Sequence, residues 1–241
     1  MERAKIRLHV EQPLGPGQPV ALSPDQAHYL FSVMREGVGS RVALFNGRDG
    51  EWTAEVVAAT KKAGVLHCLE QAAPQLNPPD LWLLFAPIRK ERTDFIVEKA
   101  AELGCARIMP VQTDHGNAQR IRQDRLQAHA LEAAEQCLGT YVPEVTDLVA
   151  LRKLMAGWPP TRRILWADEG LVGAAQTMTG LAPGPWAILI GPEGGFSESE
   201  RQWLRGLPFV TPISLGPRIL RADTAVCAAI TLWQTAIGDW S

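Results

Sequence analysis

The chain has 241 residues, of which 46% are hydrophobic and 21% charged; that length admits one large domain or two modest ones, and that composition excludes a disordered or fibrous protein. Lysine and arginine total 24 against 26 acids, a formal charge of -2, so a polyanion cannot be held by overall charge and needs a local basic face. The longest strongly apolar stretches, Trp82 to Ile88 and Ala225 to Trp233, fall far short of the roughly 20 residues that span a bilayer, and the N-terminus lacks the apolar core of a signal peptide. A cytoplasmic protein with no membrane partner is expected.

In chain order, residues 5–70 read mostly as strands: IRLHV, RVALF, EWTAEVVA and VLHCLE, with turn signals at Asn46-Gly47 and Asp49-Gly50. One helix interrupts them. It opens at Ser23, with Pro24 as its first residue and Gln26 three positions after the cap, a capping box joined to an N-terminal proline. Short strands closing on one helix predict a small β-barrel over residues 1–72. Gln71 to Asp80 carries three prolines in ten residues, a density that resists helix and central strand alike and places a linker at 73–80. Residues 81–241 then form the second domain. LWLLFAPI reads as a strand, TDFIVEKAAELG as a helix, ARIMPV as a strand, and Arg122 to Leu138 as an amphipathic helix. Further strands are expected at RRILWA, WAILIG and VTPISLG, with helices at ESERQWLRG and TAVCAAITLWQTAI. Apolar strands alternating with helices predict an α/β domain with a parallel sheet.

The four cysteines, Cys68, Cys105, Cys137 and Cys227, form no C-x-x-C pair and read as buried, reduced thiols; the five histidines show no metal-binding spacing, so no metal is expected. The most informative segment is Ile188 to Glu200, ILIGPEGGFSESE, in which a strand runs into Gly191-Pro192-Glu193-Gly194-Gly195 before Ser197 and Glu200 form a second capping box. Glycines here allow close backbone approach to a flat ligand, a plain strand-to-helix connection being the alternative. Neither G-x-G-x-x-G nor G-x-x-x-x-G-K-[ST] occurs, and Glu193 would repel a polyphosphate. Ser214 to Ala225, SLGPRILRADTA, again joins a strand to a helix, with Asp223 or Thr224 as candidate N-cap. Two such turns at the carboxyl ends of strands in one sheet are expected to share a pocket. Ile219 and Leu220 would face an adenine, and Arg218 and Arg221 an anionic or electron-rich substrate. In IRKERTDFIVEK, residues 88–99, Arg89, Lys90 and Arg92 follow a strand and Lys99 the next helix; these are candidate phosphate contacts, or a charge run balanced by Glu91, Asp94 and Glu98.

The segments IGPEGGFS, LGPRILRADTA, RKERTDFIVEKAAELG and EAAEQC together resemble the RsmE family, the 16S ribosomal RNA uracil-N3 methyltransferases of the SPOUT class, and the resemblance covers nearly the whole chain. It implies a trefoil-knotted parallel-sheet domain that binds S-adenosylmethionine, preceded by a PUA-like barrel that binds RNA, in a homodimer. It further implies methyl transfer to N3 of a uridine in the decoding region of 16S rRNA within the small ribosomal subunit. By motif, the cofactor residues fall on Gly191, Pro192, Glu193, Gly194, Gly195, Leu215, Gly216, Ile219 and Leu220, with Trp166 and Ala167 at the end of a neighbouring strand. N3 of uracil carries a proton between two carbonyls, so its attack on a methyl needs that proton removed or the resulting negative charge stabilised. Arg221, next to the Ile219-Leu220 turn, is the expected catalytic cation, and Glu193 and Asp223 are candidate bases. The RNA-binding cations would be Arg3, Lys5, Arg7 and Arg35 on the small domain and Lys90, Arg92 and Lys99 on the large one. The chain departs from the pattern at EQCLGT, where similar sequences carry an arginine soon after EQ, as in EQ-x-G-R, and this chain has Gly139; at Thr113-Asp114-His115, where they read S-E-R; and at Asp223, where glutamate is common. A SPOUT methyltransferase acting on tRNA or another rRNA site is the alternative, as is a non-catalytic assembly factor, against which the intact glycine turns speak.

Overall fold

The computed structural model describes residues 4–171, 178 and 180–240. The chain forms two units, Met1–Asn77 with Ala134–Val142, and Pro78–Ala133 with Pro143–Ser241.

In the first unit, β1 (Arg7–His9), β2 (Pro19–Ala21), α1 (Pro24–Ala27), β3 (Arg41–Phe45), β4 (Glu51–Ala59) and β5 (Gly64–Ala73) build a five-stranded sheet in the order β1-β3-β4-β5-β2. The β1–β3 pair is parallel and the others antiparallel. Alternation sends Val42, Leu44, Ala54, Val56, Leu66 and Cys68 into one core with Val20 and Leu30. The β3–β4 turn falls on the expected glycines. At Gly50 φ is +76° and a Cβ would lie 2.3 Å from the Ala73 carbonyl oxygen, so both backbone and space demand glycine. Ala73, expected in the linker, is instead the last residue of β5 and pairs with Glu51; the proline run begins after it. The Ser23–Gln26 capping box forms as expected, yet the α-helix lasts only four residues. His28–Val33 continues it as a π-helical turn, closed by the Met34 N–H donating to the Tyr29 carbonyl, and Arg35 follows in the left-handed region at φ 61°.

Arg7 is not a surface cation. Its guanidinium is 7% exposed as a residue, donates from Nε to Glu51 at 2.6 Å, and donates to the carbonyls of Ala134, Glu135 and Gly139 at 2.7, 2.7 and 2.9 Å. It also lies 4.5 Å from the centroid of the Phe45 ring. Burial requires such partners, and they leave a phosphate no access. Gly139, one of the departures from the family pattern, thus supplies a carbonyl to Arg7.

The second unit comprises β6 (Leu81–Phe85), α2 (Lys90–Glu102), β7 (Arg107–Gln112), α3 (Gln123–Gln136, whose last turn belongs to the first unit), β8 (Glu144–Val145), β9 (Val149–Ala150), α4 (Leu151–Ala156), β10 (Arg163–Ala167), β11 (Trp186–Ile190), α5 (Glu198–Arg205), β12 (Val210–Ile213) and α6 (Ala222–Ile237). The parallel sheet has the order β12-β10-β11-β6-β7-β8, with β9 pairing β7. Both faces are covered, as a parallel sheet requires. Leu83, Phe85, Ile188 and Ile190 pack on one side with Ile96, Val226 and Ile230, while Leu84, Ala187 and Leu189 pack on the other with Leu151 and Leu204. Because β10 sits between β11 and β12, the carboxyl ends of three strands lie side by side. Helix α6 starts two residues earlier than a cap at Asp223 would allow: Arg221 occupies the cap position without a side-chain cap bond, and Asp223 pairs with Arg92 at 3.3 Å. Of the cysteines expected to be buried, Cys68 and Cys105 are, whereas Cys137 is exposed and Cys227 half-buried; all four are free. Burial pushes the Cys105 thiol far above its ordinary range.

Removing one member of a buried ion pair costs about 3–5 kcal/mol. Arg7→Met should therefore lower the unfolding free energy by about that much in chemical denaturation, and the Arg7→Met/Glu51→Met double variant should recover only the part due to the unpaired Glu51 charge, the three carbonyls still lacking their donor.

Candidate active site

The loops that follow β10, β11 and β12 border a cleft, open to solvent, with about 620 Å³ of empty space. Ala167, Gly191, Pro192, Glu193, Gly195, Leu215, Gly216, Ile219 and Leu220, all expected there, line it, together with Arg218. Two expected residues do not. Trp166 has 0% exposure, with its ring edge-on to Phe196 at 5.6 Å, and belongs to the core beneath; an inward-facing residue next to the strand end points away from the loops above it. Gly194 faces an adjoining open cavity of about 1200 Å³, which Arg221 also lines with Arg89, Arg92 and His115. Pro192 and Glu193 border both cavities. The two glycine turns therefore meet at one place, with one peptide segment as the wall between two chambers.

Asp168 and Glu169 were not read from sequence, although an acidic pair directly after an apolar strand was a usable signal. The Asp168 side chain is wholly buried. Its carboxylate is paired with Arg201 and Arg205 of α5 and accepts the Gly170 N–H at 2.9 Å. Arg201 also donates to Glu169 at 3.0 Å. Gly195 has φ +65°, and a Cβ on it would stand 2.2 Å from a Glu169 carboxylate oxygen, so the absent side chain is what lets the two loops close on each other. The turn itself is shut by the Gly195 N–H donating to the Pro192 carbonyl at 2.9 Å.

A second clasp comes from the segment after β7. The Ser197–Glu200 capping box forms as expected. Asp114 accepts the Ser197 hydroxyl at 2.5 Å and donates its N–H to Glu200 at 2.9 Å, and the His115 ring nitrogen Nδ1 lies 3.0 Å from the Gly194 carbonyl oxygen. The departure at Thr113-Asp114-His115 is thus integrated into the glycine turn.

The remaining basic candidates separate. Lys90 is exposed and borders a third cavity with Arg120 and Arg122, which the sequence reading did not single out. Arg92 lines the Arg221 chamber while paired with Asp223. Lys99 lies on α2, bonded to Glu102 at 2.5 Å and 5.4 Å from the Phe95 ring centroid, so its charge is already matched. Lys5 and Arg35 are exposed on the first unit; Arg3 lies outside the described residues. Among the described residues no helix is long and apolar enough to cross a membrane, and no group of three or more His, Cys, Asp or Glu is placed to hold a metal ion.

Residues 75–234 match the model of the RNA methyltransferase domain, and residues 22–66 that of the RNA methyltransferase PUA domain. The match over residues 75–234, on a parallel sheet with two cavities at the carboxyl ends of its strands, places the chain among the RNA methyltransferases. The ribosomal RNA small subunit methyltransferase E of Rickettsia conorii is 27% identical to it over 93% of each chain. The crystal structure of the Neisseria gonorrhoeae protein of that name, bound to S-adenosyl methionine, superposes with a TM-score of 0.86 at 27% identity, covering 98% of this chain and 99% of the other. A Legionella pneumophila protein solved with bound SAM gives 0.87 at 29% identity, covering 99% of this chain and all of the other (100%). The chain belongs to the RsmE family of these RNA methyltransferases.

Gly195→Ala should destabilise the fold, since the left-handed conformation alone costs a non-glycine residue about 1–2 kcal/mol. Measured by chemical denaturation, the cost should be smaller in a Glu169→Ala background, where the carboxylate no longer opposes the new methyl; equal costs in both backgrounds would show that the two loops do not touch as described.

Proposed function

We propose that the protein transfers the methyl group of S-adenosylmethionine to N3 of a uridine in the decoding region of 16S rRNA, within the small ribosomal subunit. The observation that carries this reading is the pair of chambers sharing Pro192 and Glu193, one suited to the methyl donor and the other to a base.

The residues of the first chamber fit S-adenosylmethionine. Ile190, Leu215 and Leu220 give apolar walls for an adenine, Glu169 and Glu193 supply negative charge for a cationic ligand, and Arg218 supplies a partner for a carboxylate. At Gly216, φ is +112° and a Cβ would meet nothing within 4 Å, so the turn leaves open space beside its own backbone. Bound there, S-adenosylmethionine supplies an already activated, electrophilic methyl group. What remains for the protein is to orient the acceptor and manage one proton.

Arg221 opens on the second chamber. A guanidinium there stabilises the negative charge that develops on the uracil carbonyl oxygens as N3 loses its proton. Glu193 borders both chambers and is the candidate to accept that proton. Asp223, the other candidate, is held by Arg92 and by the Thr224 N–H at 2.8 Å, which favours a structural role. Arg89, Lys90 and Arg120 bring positive charge to the second and third cavities of a chain that is acidic overall, as phosphate binding requires, whereas Arg92 and Arg122 beside them are paired with Asp223 and Asp124. The exposed Leu232 of α6 and Trp240 beyond it suit the homodimer, and a cytoplasmic setting follows from the ribosomal substrate.

Calorimetric titration with S-adenosylmethionine should show saturable binding in the wild type and in Arg221→Ala alike. The variant's kcat should fall by roughly 10²–10³, the usual cost of losing one charge-stabilising group; undiminished turnover would remove Arg221 from the reaction. Mass mapping of 16S rRNA from a strain lacking the gene should reveal one uridine short of one methyl group, restored by the gene.

A further inference from the structure

The β4–β5 hairpin of the first unit ends in Thr60-Lys61-Lys62-Ala63. Thr60 locks this tip. Its N–H and hydroxyl donate to the Ala63 carbonyl at 2.8 and 3.0 Å, and its Oγ1 accepts the Ala63 N–H at 3.0 Å. Lys61 and Lys62 are therefore presented by a fixed loop, and both are exposed.

The π-helical turn His28–Val33 lies against that tip. A Cβ built on Gly64 would stand 2.5 and 2.6 Å from two carbons of the Phe31 ring, so the half-buried ring rests on bare backbone that only glycine leaves clear. An irregular turn of this kind carries an energetic penalty over a plain helix and recurs at functional sites. Together the two elements border an open cavity of about 1050 Å³ lined by His28, Phe31, Ser32, Thr60, Lys61 and Lys62. No carboxylate lines it, although acids outnumber bases in the chain. A seated aromatic ring, two lysines and two hydroxyls, with no opposing charge, form the combination that takes up an unpaired nucleotide: the ring stacks the base and the ammonium groups meet the phosphates.

We propose that this cavity binds an unpaired nucleotide of the RNA substrate, distinct from the methylated one, and so docks the RNA for methylation. The proposal rests on the reading of the protein as an RNA methyltransferase. It assigns a binding role to residues that touch neither chamber of the methyl-transfer site.

The test uses the full chain and small subunits from a strain lacking the gene. Phe31→Leu and the pair Lys61→Gln/Lys62→Gln should each raise KM for the subunit by about tenfold, in line with the loss of one base stack or two phosphate contacts, while kcat and S-adenosylmethionine affinity stay at wild-type values. The lysine pair should also flatten the dependence of log affinity on log salt by about 1.4, at about 0.7 per contact, whereas Phe31→Leu should leave that slope unchanged. Wild-type KM and slope in both variants would overturn the site. Thermal melting identifies a Phe31→Leu protein that has lost its fold, in which case the lysine pair, exposed and outside the core, decides. Should the wild type methylate no subunit, the proposed function fails; affinity for fluorescein-labelled oligouridylate, read by anisotropy in wild type and variants, then still decides the cavity's role.

Discussion

The site depends on one buried carboxylate. Asp168 stands at the end of β10, fully withdrawn from water, where an ionised group survives only with hydrogen-bonding cationic partners. Arg201 and Arg205 of α5 supply them. Since α5 begins immediately after the glycine turn of β11, this ion pair ties the end of one strand to the loop of the next. Arg201 extends the tie to Glu169, and the bare backbone of Gly195 lets that carboxylate come close. On the far side, Asp114 and His115 hold the same turn through Ser197, Glu200 and the Gly194 carbonyl. The turn is thus clasped from two directions before any ligand arrives, and preorganisation of this kind reduces what binding must spend on ordering a loop.

The clasp also explains how one short peptide can serve two purposes. Gly191 and Gly195 line the first cavity, Gly194 lines the second, and Pro192 and Glu193 border both. Arg221 follows the same division: it lines the second cavity, while Leu220 before it and Ala222 after it line the first.

Much of this was legible in the sequence because its signals are local. Capping boxes at Ser23 and Ser197, glycine pairs between strands, and continuous apolar runs each report on a few neighbouring residues, and those elements formed where the pattern put them. Elements β2, β8 and β9, at two or three residues, are too short to carry a period, and α4 has no side-chain cap bond to announce it. The misreadings were of long-range origin. Arg7 looks like any basic residue in an exposed strand until its partners, more than a hundred residues away, are known. Trp166 belongs to the right strand, but its side of the sheet is decided by packing against Phe196. The π-helical turn at His28–Val33 gave no sign, since the capping box before it predicts an ordinary helix equally well.

The partners of Arg7 bear on how the protein is made. The amino-terminal unit is not a continuous stretch of chain: it recruits Ala134–Val142, from which Arg7 takes three carbonyls. During synthesis, residues up to Asn77 leave the ribosome with Arg7 able to pair with Glu51 but still lacking its three carbonyl acceptors. That unit cannot reach its final packing until the segment ending at Val142 has also emerged, so the two halves of the molecule are obliged to mature in overlapping steps and not one after the other.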